Sequence, residues 1–260
     1  MSDTEFFSLP RPRAMAHRGD SGAYPENTMA AFKAAHDLGA RYFELDVHMT
    51  RDGRVVVVHD PDLARTAGRN ALIRELSYAE LAAADAGYGF AAPGGGYPFR
   101  GKGLKVPTLA EVLSAFPDVR VVVEIKQTTP SLVTATLEVI ERAGMRRRVL
   151  VASEHQAPLD ELRALAPDIP TNFSSGEVAN FFQALTAQMK SYVPPAAALQ
   201  IPIEYENFRL VTPESVAAAH RVGVEMHVWT VNDEAEMRGL LALGVDGIIT
   251  DFPDRLLKLL

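Results

Sequence analysis

The sequence contains no cysteine. This excludes disulfide bonds, a thiolate nucleophile and zinc bound by cysteine. No segment approaches the run of about 18 apolar residues that a membrane-spanning helix needs, so we expect no membrane span. Residues 1–13 have neither the basic start nor the apolar run of a signal peptide, and we therefore expect a cytoplasmic location.

Positive charge is also scarce. The chain has 26 Lys and Arg residues against 33 Asp and Glu residues, and its formal net charge is −7. The one dense basic run lies at residues 146–148. Nucleic-acid binding requires a clustered positive face, so we expect no nucleic-acid partner. The pattern points to no particular oligomeric state.

Apolar residues make up 47% of the chain, which is enough for a large core. Short runs rich in Val and Ile alternate with amphipathic stretches, and this alternation indicates a parallel sheet covered by helices. About eight such units in this length favour a (β/α)8 TIM barrel in a single domain, residues 1–260. A doubly wound open sheet is the alternative, but no G-x-G-x-x-G turn follows the first strand and there is no P-loop. Besides an acidic strand that begins at residue 42, the predicted strands cover residues 14–17, 55–58, 119–126, 149–153, 169–173, 197–202, 225–231 and 247–250.

Residues 62–106 interrupt the alternation. They contain one predicted helix, 77–84, followed by a glycine-rich stretch with four aromatic side chains. A long insertion in a barrel usually lies over the site or serves a partner, so we expect a small lobe after the second strand. The alternative is a solvated loop with a small core of its own.

Two acids and a histidine lie close together in the stretch that follows the first helix. Residues two apart in a strand share one face, so Glu44 and Asp46 point the same way. The Asp-Gly pair at residues 52–53 predicts a hairpin turn. The strand after this turn brings His59 back beside the acids.

Further reactive side chains fall at the ends of other predicted strands. His17 and Arg18 end the first strand, Glu124 and Lys126 end the third, and Trp229 ends the seventh. The carboxyl ends of the strands form the rim that carries catalytic groups in a barrel. We therefore expect these side chains to meet the acidic strand at one site.

The residue types at this rim favour metal-assisted chemistry. Glu44, Asp46 and Glu124 form an oxygen-rich site for one divalent cation, Mg²⁺ or Ca²⁺, with Mn²⁺ as a third candidate. Two histidines beside such an ion suit hydrolysis of a phosphate ester, because one accepts a proton from the nucleophile and the other returns one to the leaving alcohol. Arginine and lysine suit the phosphate oxygens. Residue types alone do not choose a phosphodiester over other substrates.

Ordered motifs over almost the whole chain carry a resemblance. They are A-H-R-G-D-S-G-A-Y-P-E-N-T at 16–28, E-L-D at 44–46, D-G-R-V-V-V-V-H-D-P at 52–61, E-I-K at 124–126, V-W-T-V-N-D at 228–233 and the ending G-V-D-G-I-I-T-D-F-P. Together they resemble the signature of the glycerophosphodiester phosphodiesterase family. The resemblance implies a barrel of the phospholipase-C-like type and a small-molecule substrate, a glycerophosphodiester, cleaved to sn-glycerol 3-phosphate and an alcohol.

The resemblance also implies roles for individual residues. It implies that the free glycerol hydroxyl attacks first and that water then opens a cyclic phosphate. It matches residues 62–106 to the small lobe after the second strand. By position it makes His17 and His59 the acid/base pair, Glu44, Asp46 and Glu124 the metal ligands, Arg18 and Lys126 the phosphate binders, and Trp229 a wall for the glycerol end.

Two alternatives remain open. One is a lysophospholipase D on the same barrel, because the aromatic, glycine-rich insertion could admit an acyl chain. The other is a non-catalytic binding module, against which the intact His/His/Glu/Asp/Glu set argues, since a binder needs no proton carriers. Departures from the family pattern at Gln127 and Glu154 leave the catalytic set intact, and Glu154 would add negative charge near the rim. Asp60, before a proline, is expected to form a turn.

Overall fold

The computed structural model describes residues 4–189 and 191–260. Residues 1–3, at the start of the N-terminal segment discussed above, lie outside the described part of the chain. Within the described part, no helix combines the length and the apolar composition needed to cross a bilayer.

The centre of the fold is a curled sheet of mostly parallel strands. The strands are β1 (Arg13–His17), β2 (Tyr42–Met49), β3 (Val55–Val57), β4 (Asp62–Leu63), β5 (Arg69–Leu72), β6 (Arg120–Ile125), β7 (Val149–Ala152), β8 (Ala198–Ile201), β9 (Glu204–Tyr205), β10 (Phe208–Arg209), β11 (Glu225–Val228) and β12 (Gly247–Thr250). Seven of them are parallel neighbours in the order β7-β6-β2-β1-β12-β11-β8, and β3 adds an antiparallel partner to β2. Branched side chains pack well on a pleated surface, which is why the Val-rich runs form these strands.

Helices follow most of the parallel strands and cover the outer face of the sheet. They are α1 (Met29–Asp37), α2 (Ala64–Ala67), α3 (Tyr78–Ala82), α4 (Leu109–Ala115), α5 (Val133–Arg142), α6 (Gln156–Leu165), α7 (Ser175–Thr186), α8 (Pro213–Arg221), α9 (Glu234–Leu243) and α10 (Pro253–Leu257), with a 3-10 turn at Ile73–Glu75. Several begin after a hydroxyl that accepts a hydrogen bond from the first turn, as at Thr28 and Thr108. The α/β class that the sequence predicts is confirmed.

Side chains alternate between the two faces of β2. Phe43 and Leu45 pack in the large core between the sheet and its helices. Glu44 and Asp46 lie on the opposite face, inside the curl. An apolar layer fills the inside of the curl below them, formed by Phe6, Met15, Tyr42, Val122, Leu150, Ala152, Ala198 and Ile249. The two acids therefore stand on an apolar layer and are themselves buried.

The strand predicted over residues 169–173 is reduced to single bridges. Thr171 forms a parallel bridge with Val151 of β7, and Asn172 forms one with Ala198 of β8. Pro170 has no N–H group to extend the ladder, although its carbonyl accepts a bond of 3.0 Å from Val151 N. This short segment therefore connects the two outermost strands of the sheet.

The strand predicted over residues 225–231 is also shorter than expected. β11 ends at Val228, so Trp229 lies just beyond the strand. The chain turns there toward β12, where Val231 N–H donates to Ile249 O at 3.0 Å.

Residues 62–106 contain short elements around an apolar cluster of their own. That cluster includes Leu63, Ile73 and Leu81, and it extends to Val56 beside the main sheet. The helix predicted over 77–84 is present as α3, which is shorter at both ends. Farther along, the Arg100 guanidinium lies 3.9 Å from the centroid of the Tyr88 ring and 3.7 Å from that of the Tyr97 ring. Such stacking holds the aromatic stretch together.

We expect Phe43→Ala to reduce the free energy of unfolding by about 3–5 kcal/mol, because it leaves a cavity in a packed core. The Phe43 ring is fully buried and lies 5.4 Å from the Phe32 ring and 5.3 Å from the Phe116 ring. Urea unfolding measures the change, with Phe43→Leu as the control of smaller effect. A loss below about 1 kcal/mol would mean that the ring is not part of the core.

Candidate active site

The register of three neighbouring strands brings the acids together. In β1 and β2, His17 is opposite Glu44, and in β2 and β6, Asp46 is opposite Glu124. Glu44, Asp46 and Glu124 each place a carboxylate oxygen within 4.8 Å of the others. This geometry agrees with the expectation that Glu44 and Asp46 point the same way and meet Glu124 at one site.

The donor set fits a divalent cation. Glu44 is 4% exposed and Asp46 is fully buried. Glu44 Oε2 and Asp46 Oδ1 are buried oxygens without a hydrogen-bond partner. An unpaired buried polar atom costs about 1–3 kcal/mol of folding stability, so a cation that paired with these oxygens would remove an energetic cost. Three carboxylates are the ligands that Mg²⁺ and Ca²⁺ prefer, and the cluster could hold such an ion.

Burial and neighbouring charges shift the pKa values of the three acids in different directions. Burial, followed by the charges of Asp46 and Glu124, raises the pKa of Glu44 well above its usual value. Burial also raises the pKa of Glu124, in spite of the Lys126 charge. Burial acts in the same direction on Asp46, but the charges of Arg18 and Lys126 outweigh it and lower the pKa of Asp46. Asp46 is therefore the carboxylate that stays ionised most readily.

Two cations lie beside the acids. Lys126 Nζ is 2.7 Å from Glu124 Oε1 and 3.5 Å from Asp46 Oδ1. Arg18 Nε is 3.1 Å from Asp46 Oδ2. The backbone of Arg18 has φ +57°, a left-handed conformation that is rare for a residue with a side chain. The positive charges offset the acids only in part, since none of these pairs includes Glu44.

His17 is held by a carboxylate from the far end of the chain. Its Nδ1 is 2.7 Å from Asp251 Oδ1, and its Nε2 is 3.8 Å from Glu44 Oε2. Asp251 also accepts bonds from Ser21 Oγ at 2.8 Å and Asn232 Nδ2 at 2.7 Å. Burial would raise the pKa of Asp251, but the His17 bond and charge lower it to about 2. Because an ionised carboxylate only accepts, Nδ1 of His17 carries the proton and Nε2 is the basic atom when the ring is neutral.

His59 has a partner of the same kind. The chain reaches it through Val58, whose N–H donates to Asp46 O at 2.9 Å. His59 Nδ1 lies 2.7 Å from Asp60 Oδ1. Burial would raise the pKa of Asp60, but its bonds to Arg65 and His59 lower it to about 2. Nδ1 of His59 is therefore the donor, and Nε2 is the basic atom when the ring is neutral. The sequence predicts only a turn at Asp60, whereas its carboxylate bonds to His59 and Arg65.

A chain of polar and charged groups braces the acids from one side. Asn27 Nδ2 donates to Asp46 Oδ2 at 2.9 Å. Arg18 Nη1 donates to Glu26 Oε1 at 3.0 Å. Arg65, from α2, bonds to Glu26 and to Asp60. These contacts connect the loop after β1 with the segment 62–106.

The other candidate residues lie at the same edge of the sheet. Trp229 follows β11 and is 42% exposed. Gln127 uses its amide inside the protein, since Oε1 accepts from Met49 N at 3.3 Å and Nε2 donates to Pro130 O at 2.8 Å. Glu154 lies near enough to Glu124 for its charge to raise the pKa of that carboxyl. The extra negative charge that the sequence predicts near the rim is therefore present.

Sequence reasoning missed two charged residues of this site. Asp251, the partner of His17, directly follows the strand β12. That position at a strand end was the available signal, since the other candidates were found by it. Arg65 has no comparable signal, because it lies on a four-residue helix in the irregular segment.

Comparison with known proteins identifies the family. The model of the glycerophosphoryl diester phosphodiesterase family matches residues 17–255. The chain belongs to this family. The resemblance drawn from the motifs is confirmed.

Several known proteins match this chain over most of their length. A glycerophosphodiester phosphodiesterase of Bacillus altitudinis is 36% identical over 255 residues, which cover 95% of this chain and 97% of that protein. A lysophospholipase D of Mus musculus is 28% identical and matches 94% of this chain and 84% of that protein. The solved phosphodiesterase of Oleispira antarctica, in complex with the product sn-glycerol-3-phosphate, has a TM-score of 0.79 at 26% identity and matches 95% of this chain and 96% of that one.

We expect Glu44→Gln to stabilise the protein in a chelating buffer at high pH. The raised pKa of Glu44 means that its contribution to stability is present below the usual carboxyl pKa of 4.5 and is lost as the pH rises through the raised value. The glutamine variant has no such loss, so we expect it to exceed the parent by about 1–3 kcal/mol at the alkaline end. Urea unfolding across the pH range measures the difference.

The matched control for this experiment is Glu138→Gln, which changes an exposed carboxylate that pairs with Arg142. It should follow the parent at every pH. If Glu44→Gln also followed the parent, the carboxyl would not be held at an energetic cost.

Proposed function

We propose that the protein hydrolyses glycerophosphodiesters to sn-glycerol 3-phosphate and an alcohol. Family membership supports this reaction, and the relatives named above include glycerophosphodiester phosphodiesterases. The observation that carries the proposal is the convergence of three carboxylates within 4.8 Å, beside a histidine whose Nδ1 is fixed by an ionised carboxylate. A binding module would need no such proton carriers, so this set favours an enzyme.

The two histidines are proposed as the acid/base pair. One, neutral at the start, accepts a proton from the attacking hydroxyl at Nε2. The other, protonated at the start, donates its Nε2 proton to the oxygen of the departing alcohol, so that no alkoxide has to leave. The bonds from Asp251 to His17 and from Asp60 to His59 support both roles, because they leave Nε2 of each ring as the exchanging atom. The attacking hydroxyl is proposed to be that of the substrate glycerol, with water opening the resulting cyclic phosphate.

The charged groups are proposed to receive the phosphate. Glu44, Asp46 and Glu124 would hold one divalent cation, Mg²⁺, Ca²⁺ or Mn²⁺. Such an ion, when bound, polarises a phosphoryl oxygen and offsets its developing charge. Arg18 and Lys126 would bind the remaining phosphate oxygens from positions beside the same carboxylates. The open face of Trp229 would receive the glycerol end.

We also propose that the sheet closes as a (β/α)8 barrel in one domain, with residues 62–106 as a small lobe inserted after the second strand. The bridges of Thr171 to β7 and of Asn172 to β8 support closure, because they join the two outermost strands. The apolar cluster within residues 62–106 supports the proposal that this segment forms a small lobe.

A lysophospholipase D activity is the second candidate, since a relative that matches 94% of this chain carries that name. Its substrate has an acyl chain on the glycerol. Turnover of lysophosphatidylcholine and glycerophosphocholine separates the two, and we expect the purified protein to prefer glycerophosphocholine. The assay is run after chelation with Mg²⁺, Ca²⁺ and Mn²⁺ added back in turn. Activity that is independent of all three cations would contradict the proposed metal requirement.

We expect His17→Ala and His59→Ala each to lower kcat by about 10²–10⁴-fold on glycerophosphocholine, the usual range for an acid/base group. Release of glycerol 3-phosphate measures the rate. His36→Ala is the matched control, because His36 pairs with Asp118 away from the candidate site and should leave kcat unchanged. Turnover of either site variant within tenfold of the parent would remove that histidine from the mechanism.

We expect Glu44→Gln to weaken binding of the divalent cation, because the change removes one of three anionic ligands. Calorimetric titration of Mg²⁺ or Mn²⁺ into the metal-free protein measures the affinity. An unchanged dissociation constant would mean that the ion binds elsewhere.

A further inference from the structure

We propose that Arg65 is a positioning residue for the hydrolysis. It lies in the segment 62–106 and fixes the orientation of both His59 and Arg18 through the carboxylates between them. This inference rests on the proposed function, and it adds a role for a residue that no sequence motif assigned.

The guanidinium of Arg65 bonds to two carboxylates at once. Nε and Nη2 lie 2.7 Å and 3.1 Å from the two carboxylate oxygens of Asp60. Nη1 and Nη2 lie 2.6 Å and 2.8 Å from the two oxygens of Glu26. Each acid is therefore held by a pair of bonds, a geometry that the planar fork of arginine provides and that lysine does not.

The first carboxylate controls His59. Asp60 Oδ1 accepts from His59 Nδ1 at 2.7 Å and also from Arg65 Nη2. The two bonds from Arg65 set the plane of the carboxylate, and this plane sets the direction in which Asp60 Oδ1 meets the imidazole. Without Arg65, Asp60 would be free to rotate, and the ring would lose its fixed orientation and its single tautomer.

The second carboxylate controls Arg18. Glu26 Oε1 accepts from Arg18 Nη1 at 3.0 Å and from Arg65 Nη2 at 2.8 Å. Arg18 in turn lies 3.1 Å from Asp46. The backbone of Arg18 is in the uncommon left-handed region, and its side chain is held between Glu26 and Asp46 by these contacts.

The position of Arg65 on the molecule fits a role in orientation. Its side chain is 50% exposed rather than packed in the core, and its paired bonds fix the directions of two carboxylates. Its partner Glu26 is 39 positions away in the chain, in the loop between β1 and α1. Arg65 thereby joins the segment 62–106 to the two parts of the site that are proposed to handle the proton and the phosphate.

The test compares Arg65→Ala and Arg65→Lys with the parent on glycerophosphocholine. We expect Arg65→Ala to lower kcat by about 10–100-fold, the range found when a supporting hydrogen bond is removed. Arg65→Lys should recover only a small part of the lost kcat, because lysine holds one carboxylate at a time. Added guanidinium should raise the kcat of Arg65→Ala, whereas added ammonium should not. Arg69→Ala is the matched control from the same segment, where Nη1 donates to Glu80 O, and its kcat should stay within about twofold of the parent.

A second readout does not depend on turnover. Nitrogen NMR of the imidazoles at about pH 8, where an ordinary histidine is neutral, reports the tautomer of His59. We expect the parent to show the Nδ1–H tautomer and Arg65→Ala to show a mixture. If the parent failed to cleave glycerophosphodiesters but this change occurred, the proposed function would fail and the positioning role would stand. An unaltered tautomer in Arg65→Ala, together with no rescue by guanidinium, would overturn the positioning role whatever the effect on kcat.

Discussion

Glu44, Asp46 and Glu124 bring three carboxylate oxygens within 4.8 Å of one another above an apolar layer. Like charges repel more strongly where burial reduces screening by water, and Glu44 and Asp46 are both buried. Arg18 and Lys126 offset part of the repulsion, but buried oxygens of Glu44 and Asp46 remain without a partner. The cluster therefore lowers the folding stability locally, at the carboxyl ends of β2 and β6. A cost of this kind at a single point is typical of a functional site rather than of a core.

The fold determines where that cost falls. β2 supplies two of the acids and β6 supplies the third, since the parallel register sets Asp46 opposite Glu124. The histidines reach the same place by different routes. His17 ends β1 and is oriented by an aspartate 234 positions away, whereas His59 is oriented by the residue that follows it. Local and distant parts of the chain therefore contribute equivalent carboxylate–histidine pairs.

Sequence reasoning could predict the parts of this arrangement that depend on local periodicity. The shared face of Glu44 and Asp46 follows from the alternation of a strand, and the common edge follows from parallel strand ends. It could not predict partners that depend on loop conformation, such as Arg65 with Glu26. The strand predicted over 169–173 is longer than the observed pairing, because the proline in it lacks an N–H. The strand predicted over 225–231 is longer than β11, because the chain turns toward β12 at Trp229. Periodicity therefore reveals which faces meet, and the supporting contacts become visible only in three dimensions.

The account depends on one divalent cation lying between the three acids, and Mn²⁺ can be located directly by its anomalous scattering. We predict a single strong anomalous peak, in crystals of the protein soaked with Mn²⁺ after chelation, within bonding distance of Glu44, Asp46 and Glu124. The peak should weaken in Glu44→Gln crystals treated in the same way. A peak elsewhere on the molecule, or none near these carboxylates at saturating Mn²⁺, would contradict the account.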